Sequence, residues 1–125
     1  MKYLLDTHIF LWWMNNDKKL KNYLEEIISD PNNSIYVSIV SAWEISIKVR
    51  AKKLPLKTSF KKVFEKFQFN LLGIDLKHVL AIHKLPLHHK DPFDRMLVAQ
   101  AIVEGLTVIT IDPKIKKYRV KTIGV

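Results

Sequence analysis

The sequence lacks cysteine altogether, which excludes a disulfide framework and a thiolate zinc site. It contains only three glycines and has neither a Gly-rich phosphate loop nor a Gly-x-Ser-x-Gly motif, so nucleoside-triphosphate and serine-hydrolase chemistry are disfavoured. The longest apolar run, Ile9 to Met14, is far too short to span a bilayer, and the N-terminus lacks the long apolar core of a signal peptide. These absences lead us to expect a cytoplasmic protein without a membrane partner.

Positive charge, in contrast, is abundant. The formal net charge is +9 and the isoelectric point is near 9.8, which favours a polyanionic partner. The basic residues are clustered at residues 48–53, 57–66 and 114–119 instead of being scattered. We predict that six residues of the first and last clusters contact the phosphates of that partner: Lys48, Arg50, Lys52, Lys53, Lys116 and Lys117. The alternative is that these side chains are only solvated surface.

Short β-rich runs alternate with helical stretches, a pattern typical of parallel strands joined by helical crossovers. The predicted strands cover residues 2–5, 34–38, 71–74, 106–111 and 119–124. The predicted helices cover residues 7–15, 17–29, 40–53, 58–68, 75–84 and 92–104. Because there is no linker and no repeat in the 125 residues, we predict one α/β domain over residues 1–125.

Acidic residues follow the two clearest strands. Asp6 comes directly after strand 2–5, and Asp112 comes directly after strand 106–111. Ligands of open α/β sheets bind outside the carboxyl ends of the strands, so these two carboxylates are predicted to converge there. Each also has a structural alternative, with Asp6 as the N-cap of the next helix and Asp112 as a turn residue before Pro113.

The helix predicted at residues 92–104 begins with two more acids. Asp91 followed by Pro92 has the form of an N-cap and a first helical position, so we expect Asp91 to act mainly as structure. Asp94 shares its helical stripe with three apolar residues, Leu97, Val98 and Ala101. An acid on a buried face is costly unless a cation compensates it, and a bound metal would do so.

Glu44 lies in the helix predicted at residues 40–53, at the edge of its apolar surface beside Ile47 and Ala51. One interpretation is a solvated ion pair with Lys48 at the favourable i,i+4 spacing. The other is that the carboxylate reaches inward and joins the acids at the strand ends. We favour the second interpretation.

Converging carboxylates repel one another, so either one of them holds its proton or a cation binds between them. Carboxylate oxygens are hard ligands and the sequence offers no thiolate, so Mg²⁺ or Mn²⁺ is the expected cation. Such ions organise the attack of water on a phosphodiester. His8, His88 and His89 have no further ligand at zinc spacing, and we interpret them as loop histidines near the site.

The helix predicted at residues 7–15 is apolar all the way round from Ile9 to Met14. Such a helix is either buried on every side or shares an apolar face with a partner chain. Because a domain of this size has little interior, we favour contact with a partner through Trp12 and Trp13.

Taken together, four stretches of the sequence resemble the PIN-domain ribonucleases, in particular the VapC-type toxins of bacterial and archaeal toxin–antitoxin pairs. The stretches are Leu4 to His8, Ser38 to Lys48, His88 to Ala101, and Val108 to Asp112 followed by Tyr118. They cover nearly the whole chain in the right order, and the segment Asp-Pro-Phe-Asp-Arg at residues 91–95 is highly specific.

The resemblance implies a three-layer α/β/α domain with a central parallel sheet of about four to five strands. It implies catalysis and Mg²⁺ or Mn²⁺ binding by four acids, Asp6, Glu44, Asp94 and Asp112, with support from Asp91, Thr7 and Thr110. It further implies endonucleolytic cleavage of structured RNA such as tRNA or rRNA, a homodimer, and inhibition by a cognate VapB-type antitoxin. The six basic residues predicted above to contact phosphates, Lys48, Arg50, Lys52, Lys53, Lys116 and Lys117, would then bind the RNA.

Two alternatives to this function remain. One is a catalytically degenerate PIN-like domain that only binds RNA. The other is a receiver-like domain, which also gathers aspartates around Mg²⁺ but needs a phospho-accepting aspartate at a central strand end. Strand 34–38 ends without an acid, so the receiver-like alternative is disfavoured.

Overall fold

The computed structural model describes residues 1–56 and 58–125, and within them the chain forms five strands and seven helices. The strands are β1 (Lys2–Leu5), β2 (Ser34–Ser38), β3 (Asn70–Leu72), β4 (Thr107–Ile109) and β5 (Thr122–Ile123). The helices are α1 (Thr7–Met14), α2 (Asn22–Ser29), α3 (Ile39–Arg50), α4 (Phe60–Glu65), α5 (Leu76–His83), α6 (Pro92–Glu104) and α7 (Pro113–Lys116).

All five strands are parallel, in the order β3-β2-β1-β4-β5. In the centre, Tyr3 of β1 pairs with Ile35 of β2 on one side and with Thr107 of β4 on the other. The chain adds β2 and β3 on one side of β1 and then crosses to add β4 and β5 on the other. The strand order therefore reverses between β1 and β4, and a ligand crevice is expected at their carboxyl ends.

Each face of the sheet has its own buried cluster, because alternate residues of a strand point to opposite faces. Tyr3 and Leu5 of β1 belong to one cluster, together with side chains of α1, α2 and α4: Phe10, Leu24, Ile28 and Val63. Leu4 belongs to the other cluster, together with side chains of β4 and α6: Val108, Leu97, Val98 and Ala101. Helices cover both faces, and the predicted three-layer α/β/α architecture with a parallel sheet is confirmed.

The ends of several elements differ from the predictions. The helix predicted from residue 17 begins only at Asn22, because Asp17 forms a turn in which its side chain accepts a hydrogen bond from the Lys19 amide at 2.9 Å. The strands predicted at residues 106–111 and 119–124 are shorter, and the short helix α7 was not predicted. Lys57, which begins the second basic cluster, lies outside the described residues. No helix in residues 1–56 or 58–125 combines the length and the apolar character needed to cross a bilayer.

Helix α1 is buried over most of its circumference, and His8 is its one exposed residue. Ile9, Phe10 and Leu11 are buried in the core, whereas Trp12 and Trp13 are partly buried and pack against its edge. The Trp13 ring lies 6.0 Å from the Phe69 ring. The two tryptophans keep part of their surface available, so their contact with a partner stays a prediction.

Candidate active site

Asp6 ends β1 and begins α1. Its Oδ1 accepts a hydrogen bond from the Ile9 amide at 3.0 Å, which is the N-cap contact, and its Oδ2 accepts one from Thr110 Oγ1 at 2.5 Å. Burial raises the pKa of the Asp6 carboxyl, and the Thr110 hydrogen bond opposes that rise. Asp6 can therefore cap α1 and belong to a functional site at the same time, because its two carboxylate oxygens have different partners.

Thr110 is held in place by the last strand. Its amide donates to the Ile123 carbonyl at 3.0 Å, and Gly124 adopts a φ of +110° directly beside it. A Cβ at Gly124 would lie 2.3 Å from the Thr110 carbonyl oxygen. Only glycine allows this approach, so the end of β5 fixes the hydroxyl that binds Asp6.

Glu44 of α3 is only 2% exposed. Its Oε1 accepts a hydrogen bond from Thr7 Oγ1 at 2.8 Å, and its Oε2 pairs with Lys48 Nζ at 2.5 Å. The ion pair anticipated from the i,i+4 spacing exists, but the carboxylate in it is buried and reaches inward. The Glu44 hydrogen bond raises the pKa of Lys48, burial opposes the rise, and the charges of Glu44, Asp91 and Asp94 add to it. Lys48 is thus a cation beside these acids, and its predicted contact with RNA would be made from there.

Helix α6 begins as its sequence predicted. Asp91 is the N-cap, and its Oδ1 accepts hydrogen bonds from the Phe93 amide at 2.8 Å and the Asp94 amide at 3.2 Å. Burial, and then the neighbouring carboxylates of Asp91, Glu44 and Asp6, raises the pKa of Asp94 to about 7, while His89 opposes the rise. Asp94 therefore faces the acids of β1 and α3, although these elements are distant in sequence.

Asp112 is the N-cap of α7. The structural role expected from the sequence was that of a turn residue before Pro113. Its Oδ1 accepts a hydrogen bond from the Lys114 amide at 2.9 Å, and its own amide donates to Thr110 Oγ1 at 3.0 Å. Its Oδ2 lies 2.8 Å from His89 Nε2. The same Thr110 hydroxyl therefore contacts both Asp6 and Asp112 at the carboxyl end of β4.

His89 joins two of the acids. Its Nε2 lies 2.8 Å from Asp112 Oδ2 and 3.0 Å from Asp94 Oδ2, and its Nδ1 accepts a hydrogen bond from the Asp91 amide at 3.1 Å. Because Nδ1 accepts, the network assigns the ring proton to Nε2, which donates toward the carboxylates. Sequence reasoning placed His89 only near the site. Its one sequence signal is its position two residues before the N-cap, which is weak.

Arg95 and Tyr118 hold the loop that carries His89. The Arg95 guanidinium donates to the carbonyls of Ile82 at 3.2 Å, Leu85 at 3.4 Å and Pro86 at 2.9 Å, and to the Tyr118 hydroxyl at 3.2 Å. The same hydroxyl accepts a hydrogen bond from the His89 amide at 2.9 Å. Sequence reasoning assigned neither residue a role in the site.

We call five residues the acid pocket: Asp6, Glu44, His89, Asp94 and Asp112. Within the part of the chain that the structure describes, ligand atoms of His89, Asp94 and Asp112 lie within 4.8 Å of one another and could hold a metal ion. Asp6 and Glu44 are outside that group but close enough for their charges to raise the pKa of Asp94. Clustered carboxylate oxygens with a nearby imidazole nitrogen fit a divalent cation.

The remaining predicted contact residues lie at the surface. Arg50, Lys52 and Lys53 are exposed at the end of α3, and Lys116 and Lys117 are exposed at the end of α7. Lys116 Nζ donates to the Val125 carbonyl at 3.3 Å, which leaves most of its ammonium to solvent. These positions suit contacts with a long anionic partner, and their role stays a prediction.

The sequence matches the PIN domain family over residues 3–121. The fold is similar to VapBC2 from Rickettsia felis bound to a promoter DNA fragment, with a TM-score of 0.73 and 20% identity over 98% of each chain. It is also similar to VapBC-1 from nontypeable Haemophilus influenzae (TM-score 0.68, 20% identity, 98% of this chain and 97% of that one). A toxin–antitoxin complex from Klebsiella pneumoniae gives a TM-score of 0.67 at 20% identity over 97% of this chain and 95% of that one.

No curated protein sequence gives a significant match. Structural likeness at about 20% identity establishes the fold alone, whereas the family match covers nearly the whole chain. The chain belongs to the PIN domain family.

Proposed function

We propose that this protein is a VapC-type toxin, a metal-dependent endoribonuclease that hydrolyses phosphodiester bonds in structured RNA such as tRNA or rRNA. The observation that carries the proposal is the acid pocket at the point where the strand order reverses, beside β1 and β4. Membership of the PIN domain family and the fold shared with VapBC structures support the same function.

The acid pocket has the donors for Mg²⁺ or Mn²⁺. Asp6, Glu44, Asp94 and Asp112 would supply the carboxylates that hold the ion, and His89 would bind through Nε2 only with its ring proton moved to Nδ1. When bound, such an ion supplies an activated water and stabilises the charge that develops on the phosphate. The chain itself orients the carboxylates, because Thr7 donates to Glu44 and Thr110 donates to Asp6. The Lys48 ammonium, 37% exposed as a side chain, is a cation for a substrate phosphate.

The charge of the chain supports RNA as the substrate. The net charge is +9 although the pocket itself is acidic, so most of the positive groups lie outside it. Lys52 and Lys53 on one element and Lys116 and Lys117 on another are exposed for backbone contacts.

A cognate antitoxin is the proposed protein partner, because the similar structures include a toxin–antitoxin complex from Klebsiella pneumoniae. We propose that Trp12 and Trp13 form part of the surface that binds the antitoxin, because these partly buried side chains lie at the edge of the core.

A homodimer is also proposed, and α5 supplies a surface for it. Leu76, Val79 and Leu80 lie on one face of that helix and are 72%, 45% and 59% exposed. The complex would act in the cytoplasm.

Cleavage by the purified protein tests the proposal. A panel of tRNAs and rRNA fragments, with a DNA of matched sequence, is incubated with Mg²⁺ or Mn²⁺ and then with excess chelator. Cleavage at defined RNA positions that chelation abolishes and added metal restores is expected. Cleavage that persists in chelator would contradict the metal requirement, and equal cleavage of DNA would contradict the substrate.

A degenerate PIN domain that binds RNA without cutting it is the second candidate. One observation favours it: Glu44 already pairs with Lys48, and His89 already lies between Asp94 and Asp112, so the acids have internal partners. This candidate predicts RNA binding without cleavage at any concentration of Mg²⁺ or Mn²⁺.

A further inference from the structure

Two aromatic side chains lie beside the acid pocket. Trp43 directly precedes Glu44 on α3, and Phe93 directly precedes Asp94 on α6. Their ring centroids are 5.2 Å apart and the ring planes are nearly perpendicular, at 81°. Trp43 is 57% exposed although Glu44, the next residue, is 2% exposed. We call Trp43 and Phe93 the aromatic pair.

The geometry of α3 explains this contrast. Successive residues of a helix are rotated by about 100°, so the inward Glu44 carboxylate leaves the preceding side chain at the rim. Packing of α3 against α6 brings Phe93 to the same rim. The edge contact with Phe93 restricts the Trp43 ring, so binding of a flat ligand to that ring would lose little conformational freedom.

Helix α3 also places a cation in line with Trp43. Arg50 is seven residues further on, which is nearly the same helical face and about 10 Å along the axis. It is exposed, and Lys90, just before the N-cap of α6, is exposed as well. The aromatic pair thus adjoins an acid pocket suited to a metal-bound phosphate, and α3 carries Arg50, suited to a further phosphate, about two turns beyond Trp43.

From this arrangement we propose that the aromatic pair is a stacking site for an unpaired nucleobase next to the scissile phosphate. An aromatic ring stacks on any base, because every base has a π-face, and a base inside a duplex cannot reach it. The site would therefore select unpaired nucleotides in loops of a structured RNA without reading their sequence. This inference rests on the proposed function, since it requires RNA to bind at the acid pocket.

A protein could also cover this rim, because Ile39 and Ile47 are 39% and 44% exposed on the same face of α3 as Trp43. Charge complementarity favours RNA. The apolar stripe leads along α3 to the basic residue Arg50 and adjoins the acid pocket through Glu44. A second copy of this chain, with the same basic residues, would bring like charges together.

The test uses a hairpin RNA with a mixed-sequence loop, bound by the protein with Ca²⁺ in place of Mg²⁺ or Mn²⁺, and a gel checks that the RNA stays intact. Loop positions are replaced one at a time by 2-aminopurine, whose fluorescence falls on stacking, or by an abasic nucleotide. The protein variants are Trp43→Leu, which keeps an apolar side chain, and Trp43→Phe, which keeps a ring. Tyr23→Leu on α2 is the matched control, since Tyr23 is an aromatic residue 46% exposed elsewhere.

We expect quenching at one loop position with the wild-type protein and its loss in Trp43→Leu. Binding should weaken roughly 5- to 100-fold in Trp43→Leu, which is the usual range for one lost base stack. Trp43→Phe should retain part of the affinity, and Tyr23→Leu should bind like the wild type. An abasic nucleotide at that loop position should weaken RNA binding by the wild type by a similar factor. It should hardly change RNA binding by Trp43→Leu, because the abasic nucleotide and the Trp43→Leu substitution remove the same stacking contact.

Three results would overturn the proposal, and they separate its failure from that of the proposed function. If the wild type binds the hairpin and Trp43→Leu binds it equally well, the stacking site is wrong while RNA binding stands. If Trp43→Leu changes only the oligomeric state, this rim is an interface between copies of the chain. If the wild type binds no RNA of the panel and cleaves none with metal, the proposed function fails and the stacking site fails with it.

Discussion

The Nε2 atom of His89 lies 2.8 Å from the Asp112 carboxylate and connects the loop before α6 to the end of β4. The same atom lies 3.0 Å from Asp94, so one ring nitrogen faces two carboxylates that would otherwise repel each other. Lys48 forms an ion pair with Glu44 at 2.5 Å and brings a positive charge to that carboxylate. The pocket therefore supplies internal partners for three of its carboxylates, those of Glu44, Asp94 and Asp112.

Removal of the His89 imidazole should weaken the binding of Mn²⁺ at the acid pocket. His89→Ala leaves Asp94 and Asp112 without their shared partner and without a nitrogen donor, so the Mn²⁺ dissociation constant should rise roughly 10- to 100-fold. Titration calorimetry measures it, with His83→Ala as the control because His83 is exposed on α5. If His89→Ala binds Mn²⁺ more tightly than the wild type, His89 only competes with the metal and is not a ligand.

The stability of the metal-free protein should fall as the pH rises. Burial and the neighbouring acids raise the pKa of Asp94 from 3.8 to about 7, so the folded chain holds this proton more tightly than the unfolded chain. Between about pH 4 and 7 the unfolded state binds fewer protons, and the free energy of unfolding should decrease by at most about 1.4 kcal/mol per pH unit from this residue. Above about pH 7 this contribution becomes constant.

Urea unfolding over this pH range measures the effect, with Asp94→Asn as the comparison because it cannot ionise. The difference in unfolding free energy between Asp94→Asn and wild type should grow in favour of the variant as pH rises. A difference that stays constant with pH would show that Asp94 titrates normally in the folded protein.

Asp91 should contribute more to stability than to chemistry. Asp91→Ala removes both N-cap hydrogen bonds of α6 and should lower the free energy of unfolding by about 1 kcal/mol. RNA cleavage should fall only partly, because Asp94 moves slightly with the helix start. Urea unfolding and cleavage rates on the same preparation measure both. A loss of activity as large as that of Asp94→Asn would place Asp91 among the metal ligands.

The exposed lysines should contribute to RNA binding through charge alone. Replacing Lys52 and Lys53 by Ala, or Lys116 and Lys117 by Ala, should weaken binding to all RNAs and reduce the slope of log affinity against log salt by about one per lost phosphate contact. Alanine at Lys18 and Lys19, which are exposed in the loop before α2, is the control. Slopes equal to the wild type in both double variants would show that these lysines are only solvated surface.

Contacts between neighbours in sequence were the predictable part of this molecule. The Asp91-Pro92 helix start depends on amides two and three residues away, so its capping could be inferred directly. The parallel sheet followed from the alternation of strands and helices. Acids at the ends of β1 and β4 could be expected to converge because parallel strands present the same ends to the same edge.

Contacts that depend on packing could not be predicted. His89 and Asp112 are 23 residues apart and meet because Arg95 and Tyr118 hold the loop that carries His89. The inward position of Glu44 was predicted from the edge of its apolar surface, but its hydrogen bond from Thr7 of α1 depends on how α1 and α3 pack. The bounds of short elements such as α7 depend on caps whose partners are set by the fold.

The cleavage rate of Asp94→Asn tests the central claim most directly. Asparagine keeps the volume of the side chain but removes one negative charge from the acid pocket, while the N-cap hydrogen bonds to Asp91 remain. Glu26→Gln, at an exposed position of α2, is the matched control, and circular dichroism confirms that both variants are folded. At saturating RNA and Mn²⁺, Asp94→Asn should cleave at least roughly 10- to 100-fold more slowly than wild type, and Glu26→Gln should cleave normally. Cleavage by folded Asp94→Asn at the wild-type rate would contradict the assignment of the acid pocket as the metal-dependent active site.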